Sequence, residues 1–230
     1  MKKRLADISK LTLLSLFLLA LSACSSMKSE RISPTLSSAI LTIKGALFGY
    51  PDPILTSEII DNIPYASAML KIGKGANGLI ILESVSNTQY TWVSKDQVFI
   101  VLEEGRIIKT EGLLNNLTSL VRPKSMFKEL ANNPSDDIDY FLYYSYDEPF
   151  LSDLKVSATL AHKGFQQIEI LGKTRKLLLL EETITNEQIR WEKKNLFWID
   201  PLDHYVWKSI QHTSPKLPPF ILQVTKRPRT

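Results

Sequence analysis

The sequence predicts a mainly β domain: an antiparallel meander forming an open sheet, a sandwich or a partly closed barrel, with a few short helices. Two observations lead to it. Short apolar stretches with period-two alternation succeed one another between residues 65 and 225. The turn residues between them come at close spacing, which leaves no room for the long crossovers that parallel pairing needs. A third observation bounds the stability: Cys24 is the sole cysteine, so the fold has no internal disulfide and must be held by its core.

The chain opens on a targeting segment. Lys2, Lys3 and Arg4 form a basic start, an almost unbroken apolar run covers 11–21, and Leu21-Ser22-Ala23-Cys24 follows. A charged start, a short apolar core and small residues before a cut site make a signal peptide over 1–23. The run falls short of the roughly 20 residues a spanning helix needs. Leu-Ser-Ala-Cys resembles the bacterial lipobox, whose cysteine is lipidated and becomes the mature N-terminus. The resemblance implies a diacylglycerol and an N-acyl chain on Cys24, with no other cofactor. Several acyl chains make attachment effectively permanent, since each buried methylene contributes about 0.8 kcal/mol. Ser25, where an inner-membrane lipoprotein of enterobacteria typically has Asp, implies the outer membrane, most simply its periplasmic face.

The polar segment 24–32 reads as a lipidated tether and 33–230 as the periplasmic domain, with sub-halves near 64–112 and 138–225. Ser33 and Pro34 suit a helix start, and Leu36, Ile40, Ile43 and Leu47 fall on one face of an amphipathic helix that Gly49 and Pro51 stop. A second, shorter helix is expected over 56–60, ending before Pro64. Strands are expected at 65–72, 79–83, 90–94 and 98–102. Glu104-Gly105 marks a hairpin with 106–110 as its return strand. Leucines at helical spacing predict a helix over 113–121, and 125–131 a further helical turn. Strands are then expected at 140–146, 154–160, 165–171, 176–182, 188–192, 205–212 and 220–225. Gly164, Gly172, Asn186, Asn195, Pro201 and Pro215 punctuate them. Transmembrane staves are not expected, because Glu169, Arg190, Glu192 and Lys208 occupy alternate positions where a lipid-facing barrel is apolar.

Without the leader the chain has 24 basic and 23 acidic residues, a net charge of +1. A generic nucleic-acid surface is therefore not indicated. His162, His204 and His212 form no close ligand pair, and no metal site is expected. No Gly-x-Ser-x-Gly elbow occurs, and Gly172-Lys173-Thr174 lacks the earlier glycine of a phosphate loop. Gly73, Gly75 and Gly78 read as a turn between strands, whose N–H groups could also cradle an anion. Glu103/Glu104 and Glu181/Glu182 are adjacent pairs that point to opposite faces of a strand, unlike a glycosidase pair. Aromatic residues are the better lead, with Trp92, Trp191, Trp198 and Trp207 in or beside strands. Such rings fill β cores and can also stack on sugars.

Several segments together resemble one family. Ile63-Pro64-Tyr65-Ala66-Ser67, Tyr90-Thr91-Trp92-Val93-Ser94-Lys95-Asp96 and the stretch from Glu104 to Leu113 appear in the order found in YjbF/GfcB-type (YmcC-like) lipoproteins. Asn195-Leu196-Phe197-Trp198-Ile199-Asp200, Val206-Trp207-Lys208-Ser209-Ile210-Gln211 and Pro215-Lys216-Leu217-Pro218 continue it. Where relatives tend to have a glycine turn before the Val-Trp-Lys-Ser strand, this chain has Pro201-Leu202-Asp203-His204. The family is associated with capsule and exopolysaccharide loci. The resemblance implies a non-enzymatic outer-membrane lipoprotein that assists polysaccharide secretion or assembly, with polysaccharide and other export proteins as partners. It supplies no catalytic residues. Candidate glycan contacts within the family-like segments are Trp92, Arg106, Trp198 and Trp207, with Arg106 meeting an acidic sugar and the tryptophans stacking on rings. The alternatives are a periplasmic lipid or lipoprotein carrier with an apolar cavity and, third, a glycan-active enzyme.

Overall fold

A computed structural model describes residues 55–228. The expected signal peptide, Cys24, the tether and the helix over 33–47 lie outside the described residues. Two helices, α1 (Ser57–Asp61) and α2 (Met126–Asn132), accompany twelve strands. The strands are β1 (Ser67–Ile72), β2 (Gly78–Ser86), β3 (Gln89–Ser94), β4 (Phe99–Glu103), β5 (Arg106–Glu111) and β6 (Leu117–Val121). They continue as β7 (Ile138–Tyr146), β8 (Leu151–Ile170), β9 (Lys173–Asn186), β10 (Trp191–Ile199), β11 (Val206–Gln211) and β12 (Phe220–Lys226).

All pairings are antiparallel, in the order β5-β4-β3-β2-β1-β12-β11-β10-β9-β8-β7-β6. The single non-sequential pair is β1 with β12, which joins the two halves of the meander into one sheet. The two ends of that order, β5 and β6, are joined by a short loop, and Leu117 N–H donates to Thr110 Oγ1 at 2.9 Å. The sheet thus curls into a nearly closed barrel, as the predicted class allows. Closure removes most of the unpaired edge that a long open sheet exposes.

The strands form where alternation permits one buried face. On β9, Leu178, Leu180, Glu182, Ile184 and Asn186 are all buried, and Val156, Ala158 and Leu160 match them on β8. On the solvent side, Lys155, Ser157, Glu192 and Lys194 are exposed. That polar exterior is the reverse of a lipid-facing barrel. Among the described residues no helix is long and apolar enough to cross a membrane.

Four expectations are corrected. The stretch expected as a helix over 113–121 is β6 from Leu117, paired to β7 with a register shift between Leu117 and Ser119. That bulge puts Leu117 and Leu120 on the buried side although they are three apart, so a bulged strand imitates helical spacing. The two strands expected either side of Gly164 are one strand, β8, with its irregularity between His162 and Phe165. Gly164, at φ +86°, marks a bulge there, not a turn. Residues 188–190, expected within a strand, belong to the β9–β10 turn, while Asn195, expected as a turn, lies inside β10.

Two turns show what the backbone demands. Glu104 (φ +50°) and Gly105 (φ +76°) make the two-residue β4–β5 hairpin, with both central residues left-handed. A Cβ on Gly105 would lie 2.2 Å from Val206 Cγ2. The β10–β11 turn keeps its form without glycine because His204 itself takes φ +61°, with its N–H donating to Asp200 O at 2.9 Å. Gly105→Ala is expected to cost about 2–4 kcal/mol, combining left-handed strain with overpacking. Gly172→Ala, also at positive φ but with nothing within 4 Å of its Cβ, should cost only about 1 kcal/mol. Urea denaturation of the two variants checks the difference, and equal midpoints would exclude the steric account.

Candidate functional site

The β2–β3, β4–β5 and β10–β11 turns converge at one end of the barrel, together with the start of α2 and the residues after β12. Between them opens a cavity of about 450 Å³, within the roughly 300–1,000 Å³ range of small-molecule sites. Its apolar lining comes from Ala68, Leu102, Val206, Leu222 and Val224. Its aromatic lining comes from Tyr90 and Trp92 on β3, Phe127 on α2, Tyr205, and Trp207 on β11. The polar lining includes Thr88, Glu104, Lys128, Asp203, Lys208 and Arg227.

The rings act more as walls than as platforms. The guanidinium of Arg175 lies 3.6 Å from the Trp207 ring centre, and that of Arg227 lies 4.2 Å from the Tyr205 ring centre. Each therefore has one face covered by a cation. Tyr205 and Trp207 also meet edge to face at 5.4 Å. Trp92 is 1% exposed, and its indole N–H is buried without an acceptor among the described residues.

Both cavity carboxylates are held by arginines. Glu104 accepts from Arg122 Nη1 at 2.8 Å and from the Ser125 N–H. Asp203 accepts from Arg227 and from the Tyr205 N–H. Burial acts to raise the Asp203 pKa, but the hydrogen bond and charge of Arg227 hold it below the usual carboxylate value. Arg122 also bonds Glu103, which Thr88 and Lys124 reach as well, tying the β4–β5 hairpin to the segment before α2.

Beneath this end lies a buried polar cluster. Arg106 on β5 donates from Nη1 to Glu182 Oε2 on β9 at 2.7 Å, with the two side chains 4% and 0% exposed. Asn195 Nδ2 donates to the same oxygen at 2.7 Å, and the Tyr140 hydroxyl donates to Glu182 Oε1. Phe197 and Phe127, in contact with each other, both pack against the guanidinium, with ring centres 4.8 and 5.3 Å from it. Burial acts to raise the Glu182 pKa, yet the Arg106 charge and the hydrogen bonds from Arg106, Tyr140 and Asn195 hold it below its ordinary value. Burial also raises the Tyr140 hydroxyl far above its usual range. Nearby, Gln211 accepts from the Ile107 N–H and donates to Gly105 O, both at 2.9 Å.

Of the four candidate contacts expected from sequence, Trp92 and Trp207 share the cavity. Arg106 lies in the buried ion pair, and Trp198 donates its indole N–H to Gln166 Oε1 at 2.9 Å, outside the cavity lining. Sequence reading missed Tyr90, Phe127, Lys128, Tyr205 and Arg227. One signal was available: Tyr90/Trp92 and Tyr205/Trp207 are two i, i+2 aromatic pairs, the spacing that shares one strand face. In the turn after β1 the Gly73 and Gly75 N–H groups are committed to Pro219 O and Ile72 O. Among the described residues no three His, Asp or Glu side chains gather as metal ligands.

A curled antiparallel sheet with a cavity at its turn end defines a mainly β, barrel-like domain. The chain belongs to the family described as Group 4 capsule polysaccharide lipoprotein gfcB, YjbF, whose model matches residues 40–224. It is 24% identical to the lipoprotein GfcB of Escherichia coli K12 over 201 residues, covering 86% of this chain and 90% of that one. To the lipoprotein YjbF of the same organism it is 25% identical over 163 residues, covering 67% and 73%. The crystal structure of the lipoprotein YmcC from Escherichia coli K12 superposes with a TM-score of 0.66 at 21% identity, covering 82% of this chain and 96% of that one. That likeness is one of fold.

Removing one partner of the buried pair is expected to be far worse than removing both. Glu182→Ala leaves Arg106 charged and unpaired in the core and should cost about 3–5 kcal/mol. The double change Arg106→Met with Glu182→Leu should recover most of that loss in urea melts. Because the folded-state pKa of Glu182 is depressed, its contribution is present above the ordinary value of 4.5 and is lost as pH falls below it. The double variant should therefore lose less stability than the parent between pH 5 and pH 3, a range set by about one unit either side of an ordinary carboxylate. Equal losses would remove Glu182 as a source of acid sensitivity.

Proposed function

We propose that this protein is a lipid-anchored accessory of capsule or exopolysaccharide secretion or assembly, acting without catalysis from the periplasmic face of the outer membrane. The observation that carries the reading is the family match over residues 40–224 on a chain that carries Leu-Ser-Ala-Cys at 21–24. Cys24 carries the diacylglycerol and N-acyl chains. Membrane, polysaccharide and export proteins are the partners this reading names.

The arrangement at the turn end supports a binding role over a hydrolytic one. A glycosidase acid needs a carboxyl whose pKa is raised, paired with a second carboxylate across the scissile bond. Here Asp203 is shifted the other way by Arg227, and Glu104 is committed to Arg122. The carrier alternative gains one specific observation, the apolar lining of the cavity, which bears on what the same protein binds.

Deletion of the protein in its native host is expected to reduce surface polysaccharide measured by extraction and uronic-acid or hexose assay. Re-expression of the parent should restore it. A Cys24→Ser chain should accumulate in the periplasm, leave the outer-membrane fraction and restore little. Unchanged polysaccharide in the deletion strain would refute the role, and membrane retention of Cys24→Ser would refute the anchor.

A further inference from the structure

We infer that the turn-end cavity binds a single-chain anionic amphiphile, an acyl-length apolar tail with a negatively charged head. The inference rests on the membrane-bound role proposed above and adds a ligand class to it. Its first support is the lining. Ala68, Leu102, Val206, Leu222 and Val224 come from strands on both sides of the β1–β12 junction and from the β4 and β11 segments around it, giving the cavity an apolar inner surface. The aromatic residues close its sides. A sugar ring needs an open aromatic face, whereas Trp92 and Trp207 are buried and the lining residue Arg227 covers a face of Tyr205. An alkyl chain needs only apolar wall, which buried rings provide.

The second support is the balance of charge. Of the charged residues that line the cavity, Asp203 is neutralised by Arg227 within it and Glu104 by Arg122 beside it. Lys128, exposed on α2, has no carboxylate partner among the described residues, and Lys208 packs its amine 5.1 Å from the centre of the Trp198 ring. The carboxylates are satisfied and the Lys128 amine is not, so the lining complements an anion. Apolar wall and uncompensated cation together select a molecule that has both an alkyl tail and a negative head.

The third support is placement. Ser67 at the start of β1 pairs with Lys226 at the end of β12, so the chain enters the barrel at the cavity's end. There α1 is tied down by Lys226 Nζ, which donates to Asp61 O and Ile63 O, and by Ser57 Oγ, which donates to Leu171 O at 2.9 Å. The same end exposes Ile59, Tyr65 and, almost fully, Leu202 at 90%. The 31 residues of 24–54 could reach at most about 110 Å, so a bilayer holding Cys24 would lie within reach of the opening.

The test uses the full mature chain carrying Cys24→Ser, so that its own lipid does not compete, and calorimetric titration below the micelle concentration of each probe. Dodecanoate is expected to bind saturably with one molecule per chain. Decanoate, two methylenes shorter, should bind about tenfold more weakly. Dodecyl maltoside, with the same tail and no charge, should bind several-fold more weakly than dodecanoate, and Lys128→Ala should erase that difference. Leu222→Trp should abolish binding of all three. Because that variant places bulk in a packed region, Ala68→Leu serves as a second filling variant, and circular dichroism confirms that each retains the fold. Absence of saturable dodecanoate binding, indifference to tail length, or tighter binding of maltohexaose than of dodecanoate would each overturn the inference. Failure here with polysaccharide still lost on deletion sinks the ligand class alone. Amphiphile binding with polysaccharide unchanged on deletion sinks the capsule role and leaves the ligand standing.

Discussion

The ion pair between Arg106 and Glu182 is the constraint on which the rest of the molecule depends. Taking both charges out of water is costly, and their attraction offsets that cost only when the remaining donors and acceptors are satisfied. Here the carboxylate accepts from Arg106, Asn195 and Tyr140, and the guanidinium packs against the Phe197–Phe127 ring pair. The pair links β5, one end of the strand order, to β9, near the other end. A curled sheet could close in several registers on hydrophobic area alone. A buried charge with a single satisfactory partner penalises every register but one, because any slip leaves it unpaired. Gln211 acts in the same sense with neutral groups, holding the β4–β5 hairpin against β11 through Gly105 O and the Ile107 N–H.

The cavity follows from this closure. Phe127 packs on Phe197 at 4.6 Å between ring centres and flanks Arg106, so the pin that closes the barrel also seats α2 at its end. Arg122 then bridges Glu103 and Glu104, fixing the hairpin against the segment that leads into α2. The opening is thus framed by charge pairs and floored by the apolar faces of the strands. At the rim, Lys128 is exposed and without a carboxylate partner among the described residues.

Much of the fold was legible because alternation and turn chemistry are local. Glu104-Gly105 announced its hairpin, and the run of closely spaced strands announced an antiparallel meander. The errors came where local pattern has two physical readings. A bulge at β6 gave leucines three apart one common face, which is also what a helix does. Gly164 signals either a turn or a bulge, and the pairing of β8 with β9 on both sides of it selected the bulge. Asn195 resembles a turn residue until Glu182 lies opposite and needs its amide. Each ambiguity was resolved by a partner distant in sequence. The site was legible only in part: Trp92 and Trp207 could be singled out as residue types, but the arginines that cover ring faces come from elsewhere in the chain.

By itself the sequence determined the β class, the antiparallel order of most strands, and the family. These rest on residue type, period and spacing, which are properties of short segments. Only the tertiary structure decided that β1 pairs with β12 to close the sheet, that Arg106 serves as a buried pin, and that Trp92 and Trp207 line one cavity. Those outcomes depend on which distant groups satisfy one another's charge and hydrogen bonds, and that matching exists only once the chain has folded.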